Sequence, residues 1–233
     1  MATVLLVRHG LTAMTGPVLA GHTPGLHLDD RGRAQAAAVA ARLAPVPLAA
    51  VVTSPLERCV DTAGAILAGR ALTAEVEPRL VEVRYGDWTG RKLSELAAEP
   101  LWRVVQAHPS AAVFPGPDGE GLAAAQARAV AAVRDWDARI TAEHGEHAVW
   151  VACSHGDIIK GVLADALGLH LDQFQRIVVD PCSVSAVRYT ETRPFVLRAN
   201  DTGGDVAALL PPPPSADGGA PATAAAVGGG AGP

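Results

Sequence analysis

Two apolar, β-rich runs each stop at a histidine followed by glycine, and that punctuation limits what the chain can fold into. Thr3–Val7 leads into Arg8-His9-Gly10, and Val149–Cys153 leads into Ser154-His155-Gly156-Asp157. Short runs of this kind read as buried strands that open into loops. A third run, Leu48–Thr53, leads into Ser54-Pro55-Leu56-Glu57-Arg58. Helical patterns fall between the strands, at Asp30–Leu43, Pro55–Ala68, Leu93–Ala107, Leu122–Glu143 and Asp157–Leu167. Further strands are expected at Arg176–Val179, Val184–Tyr189 and Phe195–Ala199, and no internal repeat is visible. Alternating strand and helix patterns predict an α/β fold.

In an open α/β sheet, ligands collect in the crevice outside the carboxyl ends of the strands. His9 and His155 therefore suggest one site, and Arg8 beside His9 gives that site an anion as its guest. Taken singly, a histidine after a strand is ordinarily a satisfied turn or core residue. The segment after Leu48–Thr53 weighs against that reading. Ser54 suits an N-cap, Pro55 the first helical position, and Glu57 the reciprocal position of a capping box. Arg58 then falls in the opening turn of a helix at the same sheet edge. Helix N-termini favour anions, and a guanidinium adds a fork that fits phosphate oxygens.

The chain of 233 residues is long enough for one large α/β domain with a sizeable core. A formal net charge of −5 offers no basic footprint for nucleic acid. Cys59, Cys153 and Cys182 are too few and odd in number for a disulfide framework, so each is expected to pack as a small apolar residue. No charged leader precedes a long apolar stretch, and no apolar run reaches membrane-spanning length, which points to a cytoplasmic setting with no membrane partner. His144-Gly145-Glu146-His147 falls at an expected helix end, and Cys153-Ser154-His155 lacks a second pair, so no metal is expected. Gly116 to Gly121 follows no clear strand and is read as a connection between helices near the site. Trp88 and Trp102 are expected in the core. Residues 1–200 are taken as the folded domain. Residues 201–233, with Pro211 to Pro214 and then mostly alanine and glycine, are taken as a disordered tail.

Four blocks in order resemble the histidine phosphatase superfamily, the phosphoglycerate-mutase-like clan. They are Arg8-His9-Gly10; Ser54-Pro55 through Arg58 with Thr62-Ala63; Leu80-Val81-Glu82 before Tyr85-Gly86-Asp87-Trp88; and Ser154-His155-Gly156-Asp157. The resemblance covers roughly residues 3–200, and Glu99 to Ser110 looks like an actinobacterial phosphomutase/phosphatase subfamily. It implies a three-layer α/β/α sandwich around a mostly parallel sheet, and a metal-independent phosphomonoesterase without a cofactor. The implied partner is a small-molecule phosphomonoester, and a homodimer is compatible with the resemblance. His9 is the implied nucleophile, with Arg8, Arg58 and His155 around the transferring group and Glu82 as proton donor and then water activator. Gly156 and Thr15 join the implied substrate-binding set. Thr15 stands where many relatives carry asparagine, and it offers one hydroxyl in place of an amide. Two alternatives follow from the same residues: a mutase that returns the phosphate to a sugar acid, and a module that binds a phosphorylated ligand without turnover. Intact His9, Glu82 and His155 argue against the module, because binding alone needs neither nucleophile nor proton donor.

Overall fold

The computed structural model describes residues 1–204. The strands are β1 (Thr3–Arg8), β2 (Leu48–Thr53), β3 (Ala74–Val76), β4 (Val149–Ser154), β5 (Val184–Arg188) and β6 (Phe195–Asp201). The helices are α1 (Asp30–Leu43), α2 (Glu57–Leu67), α3 (Leu93–Leu96), α4 (Pro100–Ala107), α5 (Leu122–His144) and α6 (Gly156–Ala166). They form one sheet in the order β3-β2-β4-β1-β5-β6. The pairs β1–β4, β2–β4 and β2–β3 are parallel, while β1–β5 and β5–β6 are antiparallel. The expected α/β architecture with a mostly parallel sheet is what forms.

The three layers follow from the period-2 alternation of the central strands. Val4 and Leu6 of β1, Val52 of β2, and Trp150 and Ala152 of β4 join one core with the buried faces of α5 and α6. Val7, Val51, Val151 and Cys153 point the other way, into a second core with Val39, Leu43, Cys59, Ala63 and Ile66 of α1 and α2. Both faces are apolar because both are covered, and this is why the strands read as unbroken apolar runs.

Register brings the strand ends together. Arg8 pairs with Ser154 and Thr53 with Cys153, so β1, β2 and β4 finish at one edge. The ladder continues one step further, with His9 N–H donating to the Ser154 carbonyl and Ser54 N–H to that of Cys153, both at 3.0 Å. His9, Ser54 and His155 therefore leave the sheet side by side.

Several local expectations are corrected. The helix expected over Leu93–Ala107 is broken into α3 and α4 by Pro100, which takes the first turn of α4 behind an extended Glu99. The helix expected from Pro55 starts at Glu57, without a side-chain cap. The strand expected at Arg176–Val179 does not form. A 3-10 turn spans Leu171–Arg176, and the Val179 carbonyl is claimed by the Arg8 guanidinium rather than by a sheet neighbour. Unforeseen β3 is three exposed residues, with no apolar pattern to announce it. At the other end, β6 runs beyond the expected Ala199 to Asp201, which is held by Arg42. The remainder of the expected tail lies outside the described residues.

Candidate active site

Arg8 and His9 leave the end of β1, Arg58 sits in the first turn of α2, and His155 immediately precedes α6. Glu82 has no regular element under it; it follows a 3-10 turn at Pro78–Leu80 and precedes another at Gly86–Trp88. All five are buried, none more than 6% exposed. A narrow cleft opens on four of them, and its walls include Arg8, His9, Arg58 and Glu82 together with Thr12, Tyr85 and Leu93. His155 packs behind His9, with ring centroids 5.2 Å apart in an edge-to-face arrangement.

The imidazole of His9 has a defined orientation. Its Nδ1 lies 2.7 Å from the Gly10 carbonyl oxygen, an acceptor only, so the proton sits on Nδ1. Nε2 keeps its lone pair and accepts from Arg58 Nε at 3.2 Å. Burial lowers the His9 pKa well below 6.5, and the charges of Arg58 and Arg8 lower it further. His155 is lowered in the same way, first by burial and then by Arg58. Both rings are neutral at pH 7.

Arg58 is steered by its Nη2 bond to the Gly21 carbonyl at 2.7 Å. Its Nη1 is buried with no hydrogen-bond partner, a condition that costs ~1–3 kcal/mol and suits a group shaped to receive an anion. Glu82 is held at one oxygen by the Val83 N–H at 3.0 Å. Burial, then the charge of Asp157, raise its pKa to about 7 against the pull of that hydrogen bond and of Arg58 and Arg8. A carboxyl poised there can give up a proton at neutral pH and take one back.

The two less specific expectations divide. Thr15 lines the cleft, but its hydroxyl lies 2.9 Å from that of Thr12 and accepts from the Thr12 N–H at 3.0 Å. Gly156 opens α6 behind His155 and is not among the residues that line the cleft. The capping box expected from Ser54 and Glu57 does not form. Ser54 Oγ pairs with His155 Nε2 at 2.7 Å, and the Glu57 carboxylate accepts from Gly25 N–H. Sequence reasoning also missed Tyr85, whose hydroxyl donates to Asp157 at 2.8 Å, and His22, whose Nε2 meets the Glu82 carbonyl at 2.7 Å. Tyr85 stood inside a quoted block, three residues beyond Glu82, and that was its one signal.

Cys59, Cys153 and Cys182 are all buried free thiols, as expected. Trp88 is buried as expected, whereas Trp102 is only half-buried and packs against it with ring centroids 6.3 Å apart. The loop from Gly116 to Gly121 joins a 3-10 turn to α5 and bonds to the Arg84–Asp87 stretch. Among the described residues, no group of three or more His, Cys, Asp or Glu is placed to hold a metal ion, and no helix is long and apolar enough to cross a membrane.

The chain matches the model of the histidine phosphatase superfamily, branch 1, over residues 4–202. It is 46% identical over 79 residues to the uncharacterized protein Rv0525 of Mycobacterium tuberculosis, a match that spans 34% of this chain and 39% of that protein. Phosphoserine phosphatase 1 of Hydrogenobacter thermophilus is 30% identical over 208 residues, covering 87% of this chain and 93% of its own. Among solved structures, YhfR of Bacillus stearothermophilus superposes with a TM-score of 0.75 at 26% identity, over 86% of this chain and 98% of that one.

Proposed function

The chain belongs to the histidine phosphatase superfamily, branch 1, and from that premise we propose that it hydrolyses a small phosphorylated metabolite through a phosphohistidine at His9. One observation carries the reading: the Gly10 carbonyl holds the His9 proton on Nδ1 and leaves the Nε2 lone pair in a cleft shared with two arginines and a carboxyl. The likeness to a phosphoserine phosphatase along most of the chain supports a phosphomonoester as substrate.

In the first step, Nε2 attacks phosphorus while the bond to the leaving oxygen breaks. Glu82 gives that oxygen its proton, so the product leaves as a neutral alcohol. Arg58 exchanges its contact with Nε2 for the phosphoryl oxygens, and Arg8 and His155 complete the cradle. Phosphoryl transfer depends mostly on positioning and charge stabilisation, which these groups supply with their own charges and dipoles. In the second step, the Glu82 carboxylate takes a proton from water, the water oxygen attacks phosphorus and the N–P bond breaks. Inorganic phosphate leaves, and His9 and Glu82 regain their starting protonation.

Rapid quenching after mixing with a ³²P-labelled phosphomonoester should trap label on His9 in an acid-labile, base-stable bond. His9→Ala should lose both label and turnover while keeping its circular dichroism spectrum. A panel of phosphorylated sugars, amino acids, glycerates and nucleotides would identify the substrate. Release of inorganic phosphate, rather than of an isomerised ester, separates hydrolysis from mutase transfer. Undiminished hydrolysis by His9→Ala would sink the reading.

A further inference from the structure

Glu82 must be aimed from outside its own backbone, because residues 81–84 carry no regular structure. Arg128, on α5, lies against that segment. Its Nη1 donates to the carbonyls of Arg79 at 2.6 Å and Val81 at 2.8 Å, and its Nη2 to that of Glu82 at 3.1 Å. Nε and Nη2 also donate to the two Glu120 carboxylate oxygens, at 2.7 and 2.9 Å. That uses all five N–H groups a guanidinium has.

Glu120, 4% exposed at its side chain, completes the grip from the other side. Its carboxylate accepts from Arg84 N–H at 3.2 Å, and its own N–H donates to the Arg84 carbonyl at 2.9 Å. The donor-bearing segment is thus fixed at residues 79, 81, 82 and 84. Neither Arg128 nor Glu120 forms a hydrogen bond or ion pair with Arg8, His9, Arg58 or His155.

We propose that Glu120 and Arg128 are positioning residues for the proton donor, a clamp that orients Glu82 toward the leaving oxygen and leaves phosphate binding to the sheet edge. The inference deepens the proposed hydrolysis and rests on Glu82 being the donor. A lysine cannot replace the arginine, since three donors on one point cannot bridge three carbonyls and two carboxylate oxygens. A misplacement of about 1 Å can cost on the order of 10²-fold in rate.

Arg128→Lys and Glu120→Gln, with melting curves as a fold control, should each lower kcat for an alkyl phosphate by roughly 10–10²-fold, with KM changed by less than about threefold. An aryl phosphate such as p-nitrophenyl phosphate needs little proton donation, so its initial burst of phosphohistidine formation should persist. In a Glu82→Gln background, Arg128→Lys should add almost nothing, because both changes remove the same contribution. Equal losses on alkyl and aryl substrates in the rate of phosphohistidine formation, or losses that add to that of Glu82→Gln, would overturn the clamp. A Glu82→Gln protein that forms phosphohistidine equally slowly from alkyl and aryl esters, with no aryl burst, would instead remove Glu82 as donor. If either clamp variant fails to fold, the other carries the comparison.

Discussion

A proton on Nδ1 is what makes His9 a nucleophile in waiting, and an equally local arrangement sets the acid opposite it. Asp157 accepts from the Tyr85 hydroxyl at 2.8 Å and lies 3.4 Å from the Lys160 ammonium. After burial, its charge is the largest influence that raises Glu82 to about 7. Asp157→Asn keeps the shape and removes the charge, so the Glu82 pKa should fall. Activity that needs the protonated carboxyl should then decline at lower pH than in the parent, read as an acidward shift of the basic limb of kcat/KM for an alkyl phosphate. An unmoved limb would mean that another group donates the proton. Glu82→Gln should itself cost on the order of 10²–10⁴-fold with alkyl phosphates and far less in the burst with aryl phosphates. Of this site, His9, Arg8, Arg58 and His155 were legible because each sits at a fixed offset from a strand end. Ser54 was misread for a physical reason: a serine hydroxyl after a strand serves a helix cap or a neighbouring side chain equally well, and His155 lies 101 residues away in sequence.

Elements rather than residues explain why the loop after His9 stays in place. The start of α1 lies directly against it: Asp29 caps the helix through Gly32 N–H at 2.7 Å, and Asp29 N–H donates to the Leu11 carbonyl at 3.0 Å. Gly32 has no room to grow, since an added Cβ would lie 2.0 Å from the Leu11 carbonyl oxygen. Gly32→Ala should therefore push the His9–Leu11 loop from the helix, with a stability loss of roughly 1–3 kcal/mol by chemical denaturation and a lower rate of phosphohistidine formation. Stability and rate both equal to the parent would show that the loop yields freely. Elements with their own pattern were readable: α1 forms over the expected Asp30–Leu43, and β2 over Leu48–Thr53. Elements defined by a partner were not. β3 exists only by pairing with β2, and the segment carrying Glu82 is shaped by Arg128, 46 residues away. Neither has a periodicity of its own to read.

Across the whole molecule, burying these groups ties stability to pH, and the signs oppose one another. His9 and His155, both lowered well below 6.5 by burial and then by Arg58, stay neutral in the fold while unfolded histidines take up protons below about 6.5. Their contribution is present above that pH and is lost as pH falls. Glu82, raised to about 7 first by burial and then by Asp157, holds a proton in the fold that an unfolded glutamate releases above about 4.5. Its contribution is complete below 4.5 and is lost as pH rises through 7. Below about pH 6.5 the unfolded chain thus takes up protons at the histidines that the fold does not, and above about 4.5 it lacks the proton that Glu82 keeps in the fold. By linkage the histidines make stability rise with pH and Glu82 opposes that rise. His22, half-buried and also lowered, adds in the same direction in every variant, so differences between variants are diagnostic. Glu82→Gln removes the opposing group and should steepen the rise of stability with pH by up to about 1.4 kcal/mol per unit, while His155→Asn should flatten it. Urea unfolding at several pH values across this window, in buffers free of phosphate and sulfate, gives each slope. A Glu82→Gln slope equal to that of the parent would show that Glu82 carries no proton in the fold, and with it would go the poised acid on which the proposed first step depends.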